Sequence, residues 1–253
     1  QGMPQADYII VDEIQDFEKE EIIQFINASR KCFFFFGDTA QSIYRAYGKH
    51  TMTIDQISSM TGITVSRLYN NYRLPKPVAK ITQGYLGLSE DKDQVREYSE
   101  SLYLSKESAL PIFIECESKQ KQIERIISLI NTNKYRNVGI LVPENDLVLE
   151  IMNAFTAAQF ACEFKYNLGY NDSKNKDTLN FKTESPKLMT YHSAKGLQFE
   201  TVILPFYQGA NNSDERKALY VAMTRTYRNL YVLYNDDLKE PLRSVPERLF
   251  EKE

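Results

Sequence analysis

An α/β fold built from parallel sheets flanked by helices is the class this sequence predicts, and three features predict it. Short runs of β-branched and aromatic residues alternate with stretches of helical period. The runs are apolar at nearly every position, as in strands covered on both faces. Polar loops containing Asp, Gln, Lys and Gly follow them, at the strand ends where open α/β sheets bind ligands. The 253 residues suffice for one large or two small domains, and 42% hydrophobic content is globular. A net charge of −3 supplies no overall basic footprint, so any nucleic-acid contact uses a local surface.

Residues 8–11, Tyr-Ile-Ile-Val, form the first expected strand, and Asp12 and Glu13 stand at its end. Residues 19–30 carry apolar side chains at Ile22, Ile23, Phe25 and Ile26, a helical spacing. A second buried strand follows at 32–36 and stops at Gly37 and Asp38. A short amphipathic helix spans 52–61 before Gly62, and a strand spans 64–69. Pro75 and Pro77 then reset the backbone ahead of a helix over 78–86. Residues 91–107 are polar and weakly periodic, and read as a linker after a first domain of residues 1–90.

A second α/β domain spans 108–235. Its strands are expected at 111–116, 137–142, 160–166, 187–191, 201–205 and 229–234, with helices at 119–132, 146–158 and 214–225. Residues 167–184 read as an exposed loop and 236–253 as a charged tail. Cys32, Cys116 and Cys162 lie far apart with no Cys-x-x-Cys spacing, and read as small buried residues in a reducing compartment. No run approaches the roughly 20 apolar residues of a membrane span, and no signal pattern opens the chain. A cytoplasmic protein without a membrane partner is expected, and entry into a core strand so soon after Gln1 suggests a piece of a longer chain.

Five segments carry the chemistry. In YIIVDEIQDF an Asp can hold Mg²⁺ and the next carboxylate can activate water, although a strand followed by an acidic helix start fits equally well. GDTAQSIY places Gln41 at a second strand end, suited to sensing a phosphate or positioning water; a plain turn is the alternative. Asn71-Tyr72-Arg73 sets an aromatic face beside a guanidinium, for stacking and phosphate pairing, or forms a surface turn. In LMTYHSAKGLQF a strand runs into small, hydroxylated and basic residues suited to holding phosphates through backbone N–H groups and Lys195. In ERKALYVAMTRT a helix delivers Arg225 from its carboxyl end, where arginines also simply favour the helix dipole.

In order and spacing these segments resemble the superfamily-one DNA helicases and translocases of the UvrD, Rep and PcrA family, related to the RecB and AddA nuclease-helicases, over residues 6–234. VDEIQDF resembles the Walker B motif, GDTAQSIY the third motif, NYRLP the fourth, TYHSAKGLQFETVILP the fifth and ERKALYVAMTRT the sixth. The resemblance implies a RecA-like, P-loop NTPase helicase fold, here the end of a first RecA-like domain and a complete second one. It implies ATP and Mg²⁺ gripped between the two domains, with single-stranded DNA moved along both in the 3′-to-5′ direction. Residue by residue, Asp12 would hold Mg²⁺ and Glu13 would be the general base. Gln41 and Arg73 would contact the γ-phosphate, Tyr72 would stack on adenine, Lys195 would face the phosphates and Arg225 would be the arginine finger. Tyr44, Thr190 and His192 would contact DNA.

The chain departs from the family pattern at four points. It contains no Gly-x-x-x-x-Gly-Lys-Ser/Thr, so the phosphate-cradling P-loop is expected in an upstream segment of a parent chain, and this chain alone is expected not to turn over ATP efficiently. Ala46 stands where the family stacks a base, with Tyr47 next to it as a substitute. Gln198 replaces the ribose-contacting Glu. Residues 161–186 are too few for the family's accessory insertion, so translocation alone, or work beside a nuclease or DNA-repair partner, is as consistent as strand separation. The competing expectation is a truncated, non-hydrolysing module that binds single-stranded DNA.

Overall fold

The structure, a computed structural model, describes residues 3–43, 48–66, 68, 74–88, 109–167 and 176–253. It comprises two compact units, Gln1–Leu68 and Tyr69–Glu253. The linker expected at 91–107 lies outside the described residues.

In the first unit β1 (Ala6–Val11) pairs in parallel with β2 (Ser29–Phe35), Val11 opposite Phe35, and α1 (Lys19–Ala28) connects them. The Glu21 carboxylate accepts the Glu18 N–H at 2.8 Å, fixing the start of α1. Ile22 of α1 packs with Val11, Ile14 and Ile57, and Phe25, Ile26 and Phe35 border that cluster. Ile57 lies on α2 (Ile54–Thr61), which Thr53 caps by accepting the Gln56 N–H and which ends at Gly62 with φ 69°. The break at Gly62 was expected; the strand over 64–69 was not found, because residues 63–66 form no ladder and Arg67 and Tyr69 lie outside the described residues.

The expectation that β1 and β2 are buried on both faces needs correction. Their second face is open, with Tyr8 61%, Ile10 70%, Phe34 49% and Phe36 54% exposed. Among the described residues this sheet has two strands, and its core cluster covers one side. Cys32, opposite Tyr8, is likewise exposed and not a core residue.

The second unit is organised on an eight-stranded sheet in the order β10-β3-β9-β8-β4-β7-β5-β6. Its strands are β3 (Ile112–Glu115), β4 (Val138–Val142), β5 (Glu163–Tyr166), β6 (Lys176–Asp177), β7 (Lys187–Thr190), β8 (Phe199–Tyr207), β9 (Thr226–Tyr234) and β10 (Glu251–Lys252). All neighbours pair in parallel except β5 with β6. The helices are α3 (Lys76–Gly84), α4 (Lys119–Asn133), α5 (Asn145–Ala157) and α6 (Ser213–Met223). Ile126 and Ile130 of α4 and Val148, Ile151 and Phe155 of α5 meet Ile140, Val142, Leu188 and Ile203 in one core.

Two expectations about the limits of this domain change. The helix α3, assigned by sequence to a first domain ending at residue 90, packs on α6 and on residues 247–249 within the second unit. Residues 236–253 are no loose tail: Leu242 and Val245 are buried, Phe250 stacks on Phe113 at 4.3 Å, and β10 extends the sheet beyond β3. Hydropathy averages hid this, because apolar anchors at 242, 245, 249 and 250 are diluted by surrounding charges.

A buried amide ties together the carboxyl ends of β3, β8 and β9. Gln122 of α4 is fully buried, accepts the Phe206 N–H at 2.7 Å and donates to Asn235 Oδ1 at 2.7 Å. Asn235 in turn donates to the Cys116 carbonyl at 2.7 Å. The partner at Phe206 is needed there because β8 shifts register between Leu204 and Tyr207 and Phe206 is left-handed at φ 57°. Gln122→Leu leaves a buried N–H and an amide oxygen without partners. We expect it to lower stability in urea denaturation by about 1–3 kcal/mol for each orphaned group.

At the sheet's other side Lys187, buried, pairs with Glu163 at 3.0 Å and donates to the Ser185 carbonyl at 2.6 Å. Burial pushes the Glu163 carboxyl up, but hydrogen bonds from Thr183, the Asn180 N–H and Lys187 outweigh it and hold the group below 4.5. A lowered carboxyl stabilises the fold above its unfolded-state value, and that contribution is lost as pH falls through the folded value. Glu163→Gln is therefore expected to destabilise the protein at neutral pH and to flatten the loss of stability below about pH 4.5, measured by denaturation across pH. Burial likewise pushes the neighbouring Cys162 thiol up to about 12, keeping it protonated.

Candidate functional site

In the first unit, pairing Val11 with Phe35 brings the ends of β1 and β2 side by side. The Phe36 N–H donates to the Val11 carbonyl and the Ile14 N–H to the Phe36 carbonyl, both at 2.9 Å, so the two loops leave the sheet together. Asp12 is exposed and accepts the Glu13 N–H at 2.9 Å. Glu13 is half-buried and left-handed, with φ 54° and ψ 39°, a conformation that costs a non-glycine residue about 1–2 kcal/mol.

A hydrogen-bonded chain joins this carboxylate to the second loop. Fully buried Gln15 donates its amide N–H to Glu13 Oε2, and its Oε1 accepts the Asp38 N–H at 2.9 Å. The Asp38 carboxylate accepts the Ala40 N–H at 2.9 Å and the Gln41 side-chain amide at 3.0 Å. Ser42 donates to the Gln15 carbonyl and contacts Thr51 Oγ1, both at 3.1 Å. Asp12, Glu13 and Gln41 are thus assembled at one sheet edge. Tyr44, Ala46 and Tyr47 lie outside the described residues, as do Asn71, Tyr72 and Arg73.

Mg²⁺ is ordinarily held by one or two carboxylates together with substrate phosphates and water. Exposed Asp12 beside Glu13 matches that donor set, and among the described residues no group of three or more His, Cys, Asp or Glu forms a closed metal cage. A surface depression of about 960 Å³ in this unit is lined by Lys19, Lys49, His50 and Asp55 and by none of the expected site residues.

In the second unit β7 ends in a tight turn over residues 191–196. The Tyr191 N–H donates to the Val142 carbonyl at 2.8 Å, the Ala194 N–H to Thr190 at 3.1 Å, the Lys195 N–H to His192 at 3.1 Å and the Leu197 N–H to Ala194 at 3.0 Å. Gly196, at φ 81°, supplies the left-handed residue that closes the turn. Thr190 is buried, and its hydroxyl accepts the Ser193 N–H and meets Ser193 Oγ, both at 3.2 Å. His192 and Lys195 are partly exposed and Gln198 is exposed. Burial pushes the Tyr191 phenol well up, so it remains neutral.

Arg225 follows α6, and only 3% of it is exposed. Its Nε donates to the Val221 carbonyl at 2.9 Å, one terminal nitrogen to Thr224 Oγ1 at 3.1 Å and the other to the Leu197 carbonyl at 3.5 Å. The Phe199 N–H donates to the Arg225 carbonyl at 2.9 Å. Arg225 therefore ties the end of α6 to the end of the 191–196 turn and the start of β8.

The sequence motifs contain Gln15, Gly37 and Asp38, but sequence reasoning gave none of them a part in the site. A Cβ at Gly37 would overlap Oε1 of Gln15 and approach Cγ2 of Ile14 to 2.9 Å, so the glycine makes room for the buried amide. The available signal was an uncharged amide two residues from paired carboxylates, in a segment otherwise buried. Gly37→Ala is expected to destabilise the first unit by about 1–3 kcal/mol, read from hydrogen exchange of β1 and β2 amides.

The family model for the UvrD/REP helicase N-terminal domain matches residues 3–61, and that for the UvrD-like helicase C-terminal domain matches residues 187–233. Among solved structures, the C-terminal domain of a possible DNA helicase from Lactobacillus plantarum WCFS1 is similar, with a TM-score of 0.50 and 16% identity, covering 72% of this chain and 98% of that one. At that identity the likeness concerns the fold. No curated protein matches the chain in sequence.

Proposed function

From a chain that carries UvrD-like helicase segments in its first and second units, we propose that it is the carboxy-terminal part of an ATP-dependent DNA helicase or translocase moving 3′-to-5′ on single-stranded DNA. The observation that carries this reading is the assembly of Asp12, Glu13 and Gln41 at the ends of two adjacent parallel strands. In this reading Asp12 holds Mg²⁺, which supplies charge neutralisation on the phosphates, and Glu13 takes a proton from the attacking water. Gln41 and Arg73 contact the γ-phosphate, Tyr72 stacks on the base, Lys195 faces the phosphates and Gln198 meets the ribose. Arg225 stabilises developing phosphate charge once its guanidinium turns from the Leu197 and Val221 carbonyls. Tyr44, Tyr47 and His192 line the DNA path, and Thr190 serves that surface by shaping its turn as well as by contact.

The phosphate cradle comes from an upstream P-loop segment of the parent chain. The exposed apolar face of β1 and β2 supports further elements in that position, since a parallel sheet is ordinarily covered on both faces. No P-loop pattern occurs within the 253 residues; the second reading is a truncated DNA-binding module without turnover.

DNA-stimulated ATP hydrolysis by this chain, compared with the same chain extended upstream through a P-loop, separates the two. We expect turnover in the extended form alone. Glu13→Gln should lower it by about 10²–10⁴-fold and Arg225→Ala by about 10³–10⁵-fold. Binding of single-stranded DNA with no turnover in either form would leave the binding module as the function.

A further inference from the structure

The structure assigns Gln15 as the residue that positions Glu13 and links it to the loop carrying Gln41; this deepens the ATP-hydrolysis reading above and rests on it. Three hydrogen bonds form the link: Gln41 Nε2 to Asp38 Oδ2, the Asp38 N–H to Gln15 Oε1, and Gln15 Nε2 to Glu13 Oε2. The direction of the central amide is fixed chemically. The Asp38 N–H is only a donor, so it takes the Gln15 oxygen and leaves the NH₂ for the carboxylate.

Two further observations separate a positioning role from ordinary filling of the core. First, Gln15 is fully buried, yet its NH₂ is spent on a half-buried carboxylate instead of a core carbonyl. Second, the strand end opposite is Gly37, the one residue type that leaves space for that amide. Glu13 itself is left-handed, so its side chain leaves the backbone in an unusual direction. Holding one carboxylate oxygen defines where the other presents itself, and general-base catalysis depends on that geometry. The same amide thereby joins the proposed base to the loop that carries the proposed phosphate contact.

The test uses the parent polypeptide with its upstream phosphate-binding segment, assayed for DNA-stimulated ATP turnover. Gln15→Met keeps length and volume without the amide, and should lower kcat about 10- to 100-fold with an unchanged KM for ATP. In a Glu13→Gln background the same substitution should add no further loss, because Gln15 acts through that carboxylate. Gln15→Glu, which retains the acceptor for Asp38 but sets an anion against Glu13, should be at least as slow, and serves where Gln15→Met fails to fold. Unchanged kcat, or an equal proportional loss with and without the Glu13 carboxylate, would overturn the inference and reduce Gln15 to a structural residue. Absence of turnover in the unsubstituted polypeptide removes the hydrolysis reading and this inference with it, and that control tells the two failures apart.

Discussion

Parallel pairing of β1 with β2 is the constraint on which the first unit's candidate site depends. Parallel strands end on the same side, so Val11 opposite Phe35 forces the segments after them to emerge together. Residues 12–13 and 37–41 are distant in sequence but adjacent at that edge. The hydrogen bonds among Val11, Ile14 and Phe36 extend the ladder past the last paired residues and set the spacing of the two loops. That register brings the Asp38 N–H within reach of Gln15, which meets Glu13 in its own segment.

The two units use the same device at their irregular points. Gln15 and Gln122 are both fully buried, and each accepts from a backbone N–H where a strand loses its regular ladder. Each then donates to a second side-chain oxygen, Glu13 in one unit and Asn235 in the other. A buried N–H without a partner costs about 1–3 kcal/mol, and a glutamine is long enough to supply one from a neighbouring element. The amide's other end is then available to orient a second group. At Gln122 that group continues to the Cys116 carbonyl and closes within the fold, whereas at Gln15 it is a carboxylate at the sheet edge.

Most of the architecture was legible because strands β3, β4, β7, β8 and β9 are buried runs whose neighbours have helical period, and tertiary packing agrees with both signals. What the sequence misjudged depends on context beyond local pattern. The apolar character of Tyr8, Ile10, Phe34 and Phe36 correctly marks strands, but the cover over that face is not encoded in the strands themselves. Residues 64–66 have strand composition and no partner ladder, and composition alone does not create one. The positions of Glu13 and Gln41 were legible from motif order; Gln15 was not, because periodicity registers apolar residues and passes over a polar one that is buried. Tyr44, Tyr47, Tyr72 and Arg73, all read from motifs, lie outside the described residues, so their expected contacts rest on sequence alone.

Arg225 shows how a single side chain can satisfy structure while remaining suited to an anion. Removing a guanidinium from water is costly unless its donors are met, and the Val221 carbonyl, Thr224 hydroxyl and Leu197 carbonyl meet several of them. The first two partners lie at the end of α6, where exposed carbonyls already favour a cation. The bond to Leu197 is the longest of the three at 3.5 Å, and Leu197 also donates its N–H to Ala194 within the turn after β7. A phosphate would add an opposite full charge that a neutral carbonyl lacks, so under the proposed function the 3.5 Å contact to Leu197 is the one an anion would replace most readily. Loss of that contact removes one tether from the end of the turn that holds His192 and Lys195. In the second unit, as in the first, the side chain that the proposed function sets against phosphate is connected by hydrogen bonds to the loop beside it.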